Sequence, residues 1–401
     1  MIRAAQRLGQ AETYYFARKM AEIQTMNEQG HNVINLGVGS PDLAPHPSVT
    51  LALKQALEHE LAHKYQPFRG VPGLAEAFAA WYHNHFQVAE MGKENILPLI
   101  GSKEGVMHIS MSFLSPGDEV LVPDPGYPSY SAAARLAGAA VVYFPLKEEN
   151  QFLPDLNELS KMDLSKVKMM WINYPNMPTG GNADLNFFER LIKFALKNKI
   201  LVCHDNPYTF ILNPRPVNIF QVQGAMDCVL ELTSCSKNYH MAGWRVGAVA
   251  GHPDLLAIIT KFKSNVDSGM FYPIQQAAIT ALALGEEWTT SINAIYEKRK
   301  AAALQLLSML GCEVKTSGTG LFVWAKIPSS FENGESLSDW ALQHMRTFIT
   351  PGSVFGAEGT PYVRLSLCSP VADFETAADR WHHECHKVGN TQIHMHHNTL
   401  P

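Results

Sequence analysis

The sequence predicts an α/β fold, with a mostly parallel sheet lying between helices, joined to a smaller α+β domain. Three observations predict it. Between about residues 101 and 251, short apolar runs of strand length alternate with helical patterns. Polar, chemically reactive clusters follow the carboxyl ends of several of those runs, where ligands of such sheets sit. Beyond about residue 284 the alternation gives way to a long helical stretch followed by scattered strands and helices. The expected division is a large domain over 46–283 and a small one built from 1–45 and 284–401.

Taken in order, residues 14–29 carry Phe16, Met20, Ile23 and Met26 at helical spacing and end at Gly30, a suitable C-cap. VINLGVGSPD reads as a short strand and a glycine-rich turn. Helical patterns cover roughly 49–61 and 73–86. GSKEGVMHISMSFL follows as a helix, EVLVP as a strand, PSYSAAARLAG as a helix, and VVYFP and KMMWINY as strands. NFFERLIKFALKNK is amphipathic and helical, and ILVCHD, VLEL and RVGAVAG are strands. These strands are apolar along their whole length rather than alternately, so both sheet faces are expected to be covered. EWTTSINAIYEKRKAAALQLLSML is a long helix, GLFVWAKI and YVRLSL are strands, and SLSDWALQHM is another helix.

A hydrophobic fraction of 46% and a charged fraction of 17% supply a sizeable core and exclude a disordered chain. The net charge of −5 is spread without a long basic run, which argues against a nucleic-acid partner. No signal-peptide core or membrane-length apolar run occurs, so a cytoplasmic, non-membrane protein is expected. The six cysteines are scattered, mostly in apolar runs, without a CxxC, the pattern of reduced, packed thiols.

The reactive clusters share one theme. SCSK places Ser234, Ser236 and Lys237 just past VLEL, with Arg245 shortly after. Hydroxyls and a guanidinium donate well to a phosphate dianion. A lysine beside them, neutralised by burial and neighbouring cations, is a nucleophile for a carbonyl. Asp205 ends ILVCHD, where a carboxylate needs a partner such as a protonated ring nitrogen, and Tyr208 lies close enough to donate to a ring oxygen. Ser102 and Lys103 open a helix, a ready anion site. Tyr127 in DPGYPSY offers a ring for stacking, and Arg364 in YVRLSLC is a charge among apolar neighbours.

Together these motifs resemble the class I/II aminotransferases of pyridoxal-phosphate (PLP) fold type I, over nearly the whole chain from TYYFARKMAEI to YVRLSLC. SCSKNYHMAGWRVG is the most specific element, similar to the family's S-x-S-K…GxRxG. GSKEGVMH, SPD and MAGWR are most similar to the branch containing the LL-diaminopimelate, alanine and succinyl-diaminopimelate aminotransferases. The resemblance implies a seven-stranded sheet, pyridoxal 5'-phosphate as cofactor, and ping-pong exchange of an α-amino group between an L-amino acid and a 2-oxo acid. It implies Lys237 as the Schiff-base lysine, with Ser234, Ser236, Arg245, Ser102 and Lys103 at the phosphate. It pairs Asp205 with the pyridine nitrogen, Tyr208 with the ring oxygen and Tyr127 with the ring face. Arg364, Gly37 and Tyr15 fall to the substrate. Tyr65, in HKYQPFRGVPGL, would reach the phosphate of a neighbouring subunit, which implies a homodimer with shared sites.

One departure stands out. Where the family has N-N-P-T-G, this chain has Asn176, Met177, Pro178, Thr179 and Gly180, and a thioether cannot donate to the ring oxygen. Either Asn176 or Asn173 replaces that donor, or Tyr208 acts alone. No arginine lies between Lys263 and Lys298, which disfavours a strict aspartate specialist. A PLP-dependent carbon–sulfur β-lyase on the same fold would use the same lysine, aspartate and arginine, and is the alternative activity. A non-catalytic PLP sensor within a transcription regulator is disfavoured by the lack of a basic patch. LGVGSPD lacks the third glycine of a dinucleotide site. The histidines of WHHECHK and the tail (His382, His383, His386, His394, His396, His397) read as a solvated helix end rather than a metal site.

Overall fold

The structure, a computed structural model, describes residues 2–5, 7–8, 15–315 and 318–389, with side chains to 384. Cys385, His386 and the tail histidines therefore lie outside the described side chains. The strands are β1 (Ile34–Asn35), β2 (Ile96–Leu99), β3 (Glu119–Asp124), β4 (Ala140–Pro145), β5 (Val167–Asn173), β6 (Leu201–Asp205), β7 (Val229–Ser234), β8 (Gly247–Gly251), β9 (Phe322–Lys326), β10 (Thr347–Phe348), β11 (Thr350–Pro351) and β12 (Tyr362–Ser366).

Seven of them form one sheet in the order β2-β8-β7-β6-β5-β3-β4. Pairs β3–β4, β3–β5, β5–β6 and β6–β7 are parallel, and β8 alone runs against its neighbours. β2 is an expectation the sequence reading lacked. It contains Pro98, which removes a ladder donor and belongs at a sheet edge, and β2 is an edge strand. Alternate strand residues enter two separate cores: Met169 and Trp171 face one, Met170 and Ile172 the other. The sheet is thus buried on both faces, as its unbroken apolar strands require.

The covering helices are made by ordinary local rules. The helix Leu185–Asn198 is capped by Asp184, whose carboxylate accepts from the Phe187 amide at 2.7 Å. Its buried stripe of Phe187, Phe188, Leu191, Ile192 and Ala195 follows helical spacing, and Lys199 closes it in a left-handed conformation. The helix expected over 49–61 is shorter, Pro47–Ala56, because residues 57–62 turn through short-range bonds such as Ala62 N–H to the His59 carbonyl.

Two small sheets complete the molecule, β11-β12-β9 and β1-β10. β1 pairs in parallel with β10, Ile34 opposite Thr347, and Ile23 of the helix Tyr15–Glu28 packs beside Leu342 and Phe348. The N-terminal segment therefore packs on the C-terminal part of the chain, and residues 36–42 are drawn across the end of the large sheet.

Candidate active site

The carboxyl ends of β5, β6 and β7 bring Asn173, Asp205 and Ser234 to one end of the sheet, with Asn173 opposite Asp205. Ser234 lies two residues beyond Leu232, the partner of Asp205, and opposite Gly247 at the start of the antiparallel β8. A cavity of about 360 Å³ opens there, and Ser102, Lys103, Tyr127, Asp205, Tyr208, Ser234, Ser236, Lys237, Arg245 and Arg364 all line it. Residues spread over 263 positions of sequence thus share one chamber.

Lys237 sits on the short helix Cys235–Asn238, whose first turn is capped by Ser234 through the Ser236 amide at 3.1 Å. The Lys237 amine donates to the Gly39 carbonyl at 2.6 Å. Burial pushes its pKa below the usual lysine range, and the nearby Arg364 and Arg245 guanidinium groups push it the same way.

Arg245 adopts a left-handed backbone at φ 59° and donates to the Ala242 carbonyl at 2.9 Å and to Ser236 Oγ at 3.5 Å. It lies across from Gly101, the residue before the helix Ser102–Phe113. Gly101 has a backbone φ of 83°, which favours glycine, and a Cβ there would come within 2.3 Å of Arg245 Nη2 and push the guanidinium from its place beside the helix start. The result is an anion cradle of helix N-terminus, serine hydroxyl and arginine. Ser234 lines it, but its hydroxyl is already engaged with backbone, accepting from Ser236 N–H and donating to the Val246 carbonyl at 3.4 Å.

Asp205 receives one bond on its side chain, from the Tyr130 hydroxyl to Oδ2 at 2.8 Å, while the buried Oδ1 has no partner. Burial raises its carboxyl to about 6, an effect the Tyr130 bond opposes. An unpartnered buried carboxylate oxygen beside an anion cradle and an amine is the donor set that pyridoxal phosphate requires: ring nitrogen, phosphate and aldehyde each find a complementary group. The residues fit the cofactor.

Tyr130 escaped the sequence reading. Tyr127, three residues earlier, was the aromatic singled out; both belong to the start of the helix Pro128–Leu136, so the i, i+3 spacing in PGYPSY carries the signal. Tyr130 stacks on Trp171 at 4.8 Å, which aims its hydroxyl at Asp205. Tyr127 lines the cavity and meets Tyr130 edge-on at 5.5 Å.

At the opposite wall, Arg364 of β12 is flanked by the rings of Phe322 at 4.0 Å and Phe355 at 4.6 Å. Its Nη2 donates to the Gly37 carbonyl at 2.6 Å and its Nη1 lies 3.3 Å from Met177 Sδ. Gly37 reaches the site through that carbonyl, while Val38 and Gly39 form the lining. The helix Tyr15–Glu28 presents Phe16 to the cavity, and Tyr15 lies instead in the small core with Ile23 and Phe348. Helical geometry explains the difference, since adjacent residues point about 100° apart. Tyr65 is 92% exposed and does not line the cavity of its own chain.

Met177 lines the cavity, and neither neighbouring amide takes its place simply. Asn176 faces inward, donating to the Asn173 carbonyl at 3.1 Å and accepting from Thr179 Oγ1 at 2.7 Å. Asn173 lines the cavity, but its amide donates to the Asp205 carbonyl at 2.5 Å and its oxygen accepts from Met177 N–H at 2.7 Å. Tyr208 lines the cavity with its ring edge-on to Phe322 at 5.8 Å, and burial keeps its phenol protonated well above the usual range.

Comparison with known proteins agrees with this geometry. Residues 31–380 match the family model described as aminotransferase class I and II. The LL-diaminopimelate aminotransferase of Dehalococcoides mccartyi strain 195 is 38% identical over 93% of this chain and 97% of that protein. The enzyme of the same name from Aquifex aeolicus is 38% identical over 95% of this chain and 98% of its own length. Among solved structures, substrate-bound BacF from Bacillus subtilis superposes with a TM-score of 0.91 at 34% identity, covering 95% of this chain and 97% of that one.

Proposed function

Since this chain belongs to the class I and II aminotransferases, pyridoxal-phosphate enzymes that move an amino group between an amino acid and a 2-oxo acid, we propose that its donor is LL-diaminopimelate and that Lys237, Asp205 and Arg364 divide the work. The observation that carries the division is that Lys237, Asp205, whose buried Oδ1 has no partner, and Arg364 all line one cavity. When bound there, pyridoxal phosphate supplies the aldehyde that takes up the amino group and a ring that draws electrons from the substrate Cα.

The remaining roles belong to the protein. Ser102, Lys103, Ser236 and Arg245 hold the phosphate, with Ser234 bracing Ser236 through its amide. Asp205 keeps an anionic partner at the ring nitrogen and Tyr130 fixes its orientation. Tyr208 donates to the ring oxygen and Tyr127 covers the ring. Arg364 binds the substrate α-carboxylate, which would displace the Gly37 carbonyl from Nη2. Lys237, kept partly neutral by burial, takes the proton from Cα and returns it during each half-reaction. Phe16, Phe322 and Phe355 keep water from the exchanged proton.

The donor assignment is supported by the two relatives named above and by the absence of an arginine between Lys263 and Lys298. LL-diaminopimelate carries an α-amino acid group at each end, so one end can meet Arg364 while the other projects toward the cavity mouth. We infer a homodimer in the cytoplasm. Leu61, Tyr65, Phe68, Val266 and Phe271 are exposed, and their two segments adjoin where Gly269 lies against the Gln66 and Pro67 carbonyls. An apolar surface of that kind needs a partner. Among the described residues, no helix is long and apolar enough to cross a membrane.

The test is a half-reaction panel. Purified holoenzyme mixed with single amino acids should lose its bound-cofactor absorbance fastest with LL-diaminopimelate and release the matching 2-oxo acid. A faster reaction with another donor would replace the substrate assignment; Lys237→Ala, Asp205→Asn or Arg364→Ala retaining the wild-type half-reaction rate would overturn the role division.

A further inference from the structure

β6 carries two ionisable residues in succession, His204 and Asp205. Neighbouring side chains of a strand point to opposite sheet faces, so Asp205 faces the cavity while His204 faces the far side, fully buried. His204 Nε2 lies 3.1 Å from the backbone carbonyl of Tyr174, just past the end of β5. A carbonyl only accepts, so Nε2 carries a hydrogen. His204 Nδ1 lies 2.8 Å from Glu231 Oε2 on β7.

The proton between those two atoms is located by the other partners of Glu231, a side chain with no solvent exposure. The Tyr82 hydroxyl and Asn218 Nδ2 donate to Oε1 at 2.8 and 2.7 Å, and Asn206 Nδ2 reaches Oε2 at 3.5 Å. Donors converging on both oxygens favour the ionised carboxylate. Burial and the Glu231 charge keep the Tyr82 phenol protonated, so it remains a donor. The hydrogen therefore stays on Nδ1, and both ring nitrogens are protonated. Glu231 faces His204 from β7, Tyr82 of the helix Pro72–Phe86 holds the other Glu231 oxygen, Asp205 adjoins His204 on β6, and the Phe188 ring packs against it at 5.4 Å from the helix Leu185–Asn198.

We propose that His204 is a positioning residue: an imidazolium that ties Tyr174 to Glu231 across β6 and so holds the neighbouring Asp205 carboxylate in place and ionised. This rests on the assignment of Asp205 to the cofactor ring nitrogen. Tyr130 braces Asp205 from the cavity side; the imidazolium braces the strand from behind.

Nitrogen-15 NMR of the full-length holoenzyme reads the charge state without reference to activity. His204, assigned by difference against His204→Gln, should show both ring nitrogens protonated at neutral pH. A neutral tautomer there would overturn the proposal. In His204→Gln, loss of the cation should move the acid limb of kcat/KM upward by about one pH unit, a shift that loosened packing alone does not produce. An unmoved limb would also overturn it. Should that variant fail to fold, Glu231→Gln, which removes the anionic acceptor of Nδ1, should show His204 as a neutral tautomer at the same pH, and an unchanged imidazolium signal there would overturn the role of Glu231. If Asp205→Asn kept wild-type cofactor binding and turnover, the assignment of Asp205 would fail while the NMR result still stood.

Discussion

In its proposed role Asp205 combines two demands that burial sets against each other: it must be dry to face a ring nitrogen and charged to hold it. Its carboxyl titrates at about 6 in the folded chain against 3.8 for the free side chain. The folded state thus binds the proton more tightly, so the associated stability is complete below 3.8 and is lost as pH rises through 6. Asp205→Asn avoids that loss. Its apoenzyme should gain stability over wild type progressively between pH 4 and 7, reaching about 3 kcal/mol, as read by denaturant unfolding at each pH. Transamination should be lost in the same variant. Met177 makes a second demand on its surroundings, because it lines the cavity beside Arg364 with nothing to donate. Met177→Asn should lower the pH of the bound cofactor's visible absorbance transition by about one unit; no drop would show that another donor already serves the oxygen. The chemistry of Lys237, Asp205 and Arg364 was legible because reactive side chains at strand ends are conspicuous. Tyr130 was not, since a tyrosine at a helix start looks the same whether it packs or aims a carboxylate.

At the scale of elements, the phosphate cradle depends on how firmly the helix Ser102–Phe113 is anchored at its first turn. Glu104 supplies the anchor. Its Oε2 accepts from Ile100 N–H at 2.5 Å, and its Oε1 accepts from His108 at 2.9 Å and from Lys263 at 3.4 Å. Lys263 is buried and also pairs with Asp267. Burial by itself would raise the Glu104 carboxyl, but these partners outweigh it and hold the group well below the usual carboxylate range. Glu104→Gln should weaken pyridoxal-phosphate binding by about tenfold, or about 1.4 kcal/mol, measured by quenching of protein fluorescence. Its stability deficit should be present at neutral pH and shrink in acid, because wild-type Glu104 stabilises the fold above the unfolded carboxylate pKa and loses that benefit as it protonates. The helix itself was readable from periodicity. Its anchor was not, because Lys263 and Asp267 come from a segment some 160 positions away.

For the whole molecule, the exposed apolar surface around Tyr65 and Phe271 is the feature a single chain leaves unfinished. Val266→Asp should place a charge within that surface, shift sedimentation toward the monomer and reduce activity at least tenfold; a dimer of unchanged stability would locate the interface elsewhere. The sequence by itself determined the α/β class, the alternation of strands and helices, and the identity of the reactive groups, since each follows from local periodicity or residue chemistry. Only the tertiary structure decided which groups meet. The β1–β10 pairing draws Gly37 and Gly39 over the large sheet, to the Arg364 guanidinium and the Lys237 amine. Helix rotation brings Phe16 to the cavity in place of Tyr15. Strand alternation divides His204 from Asp205, giving one to the hidden face and the other to the site. Hydrogen bonds and burial depend on distances in space, and residues far apart along the chain acquire those distances only when the sheet closes.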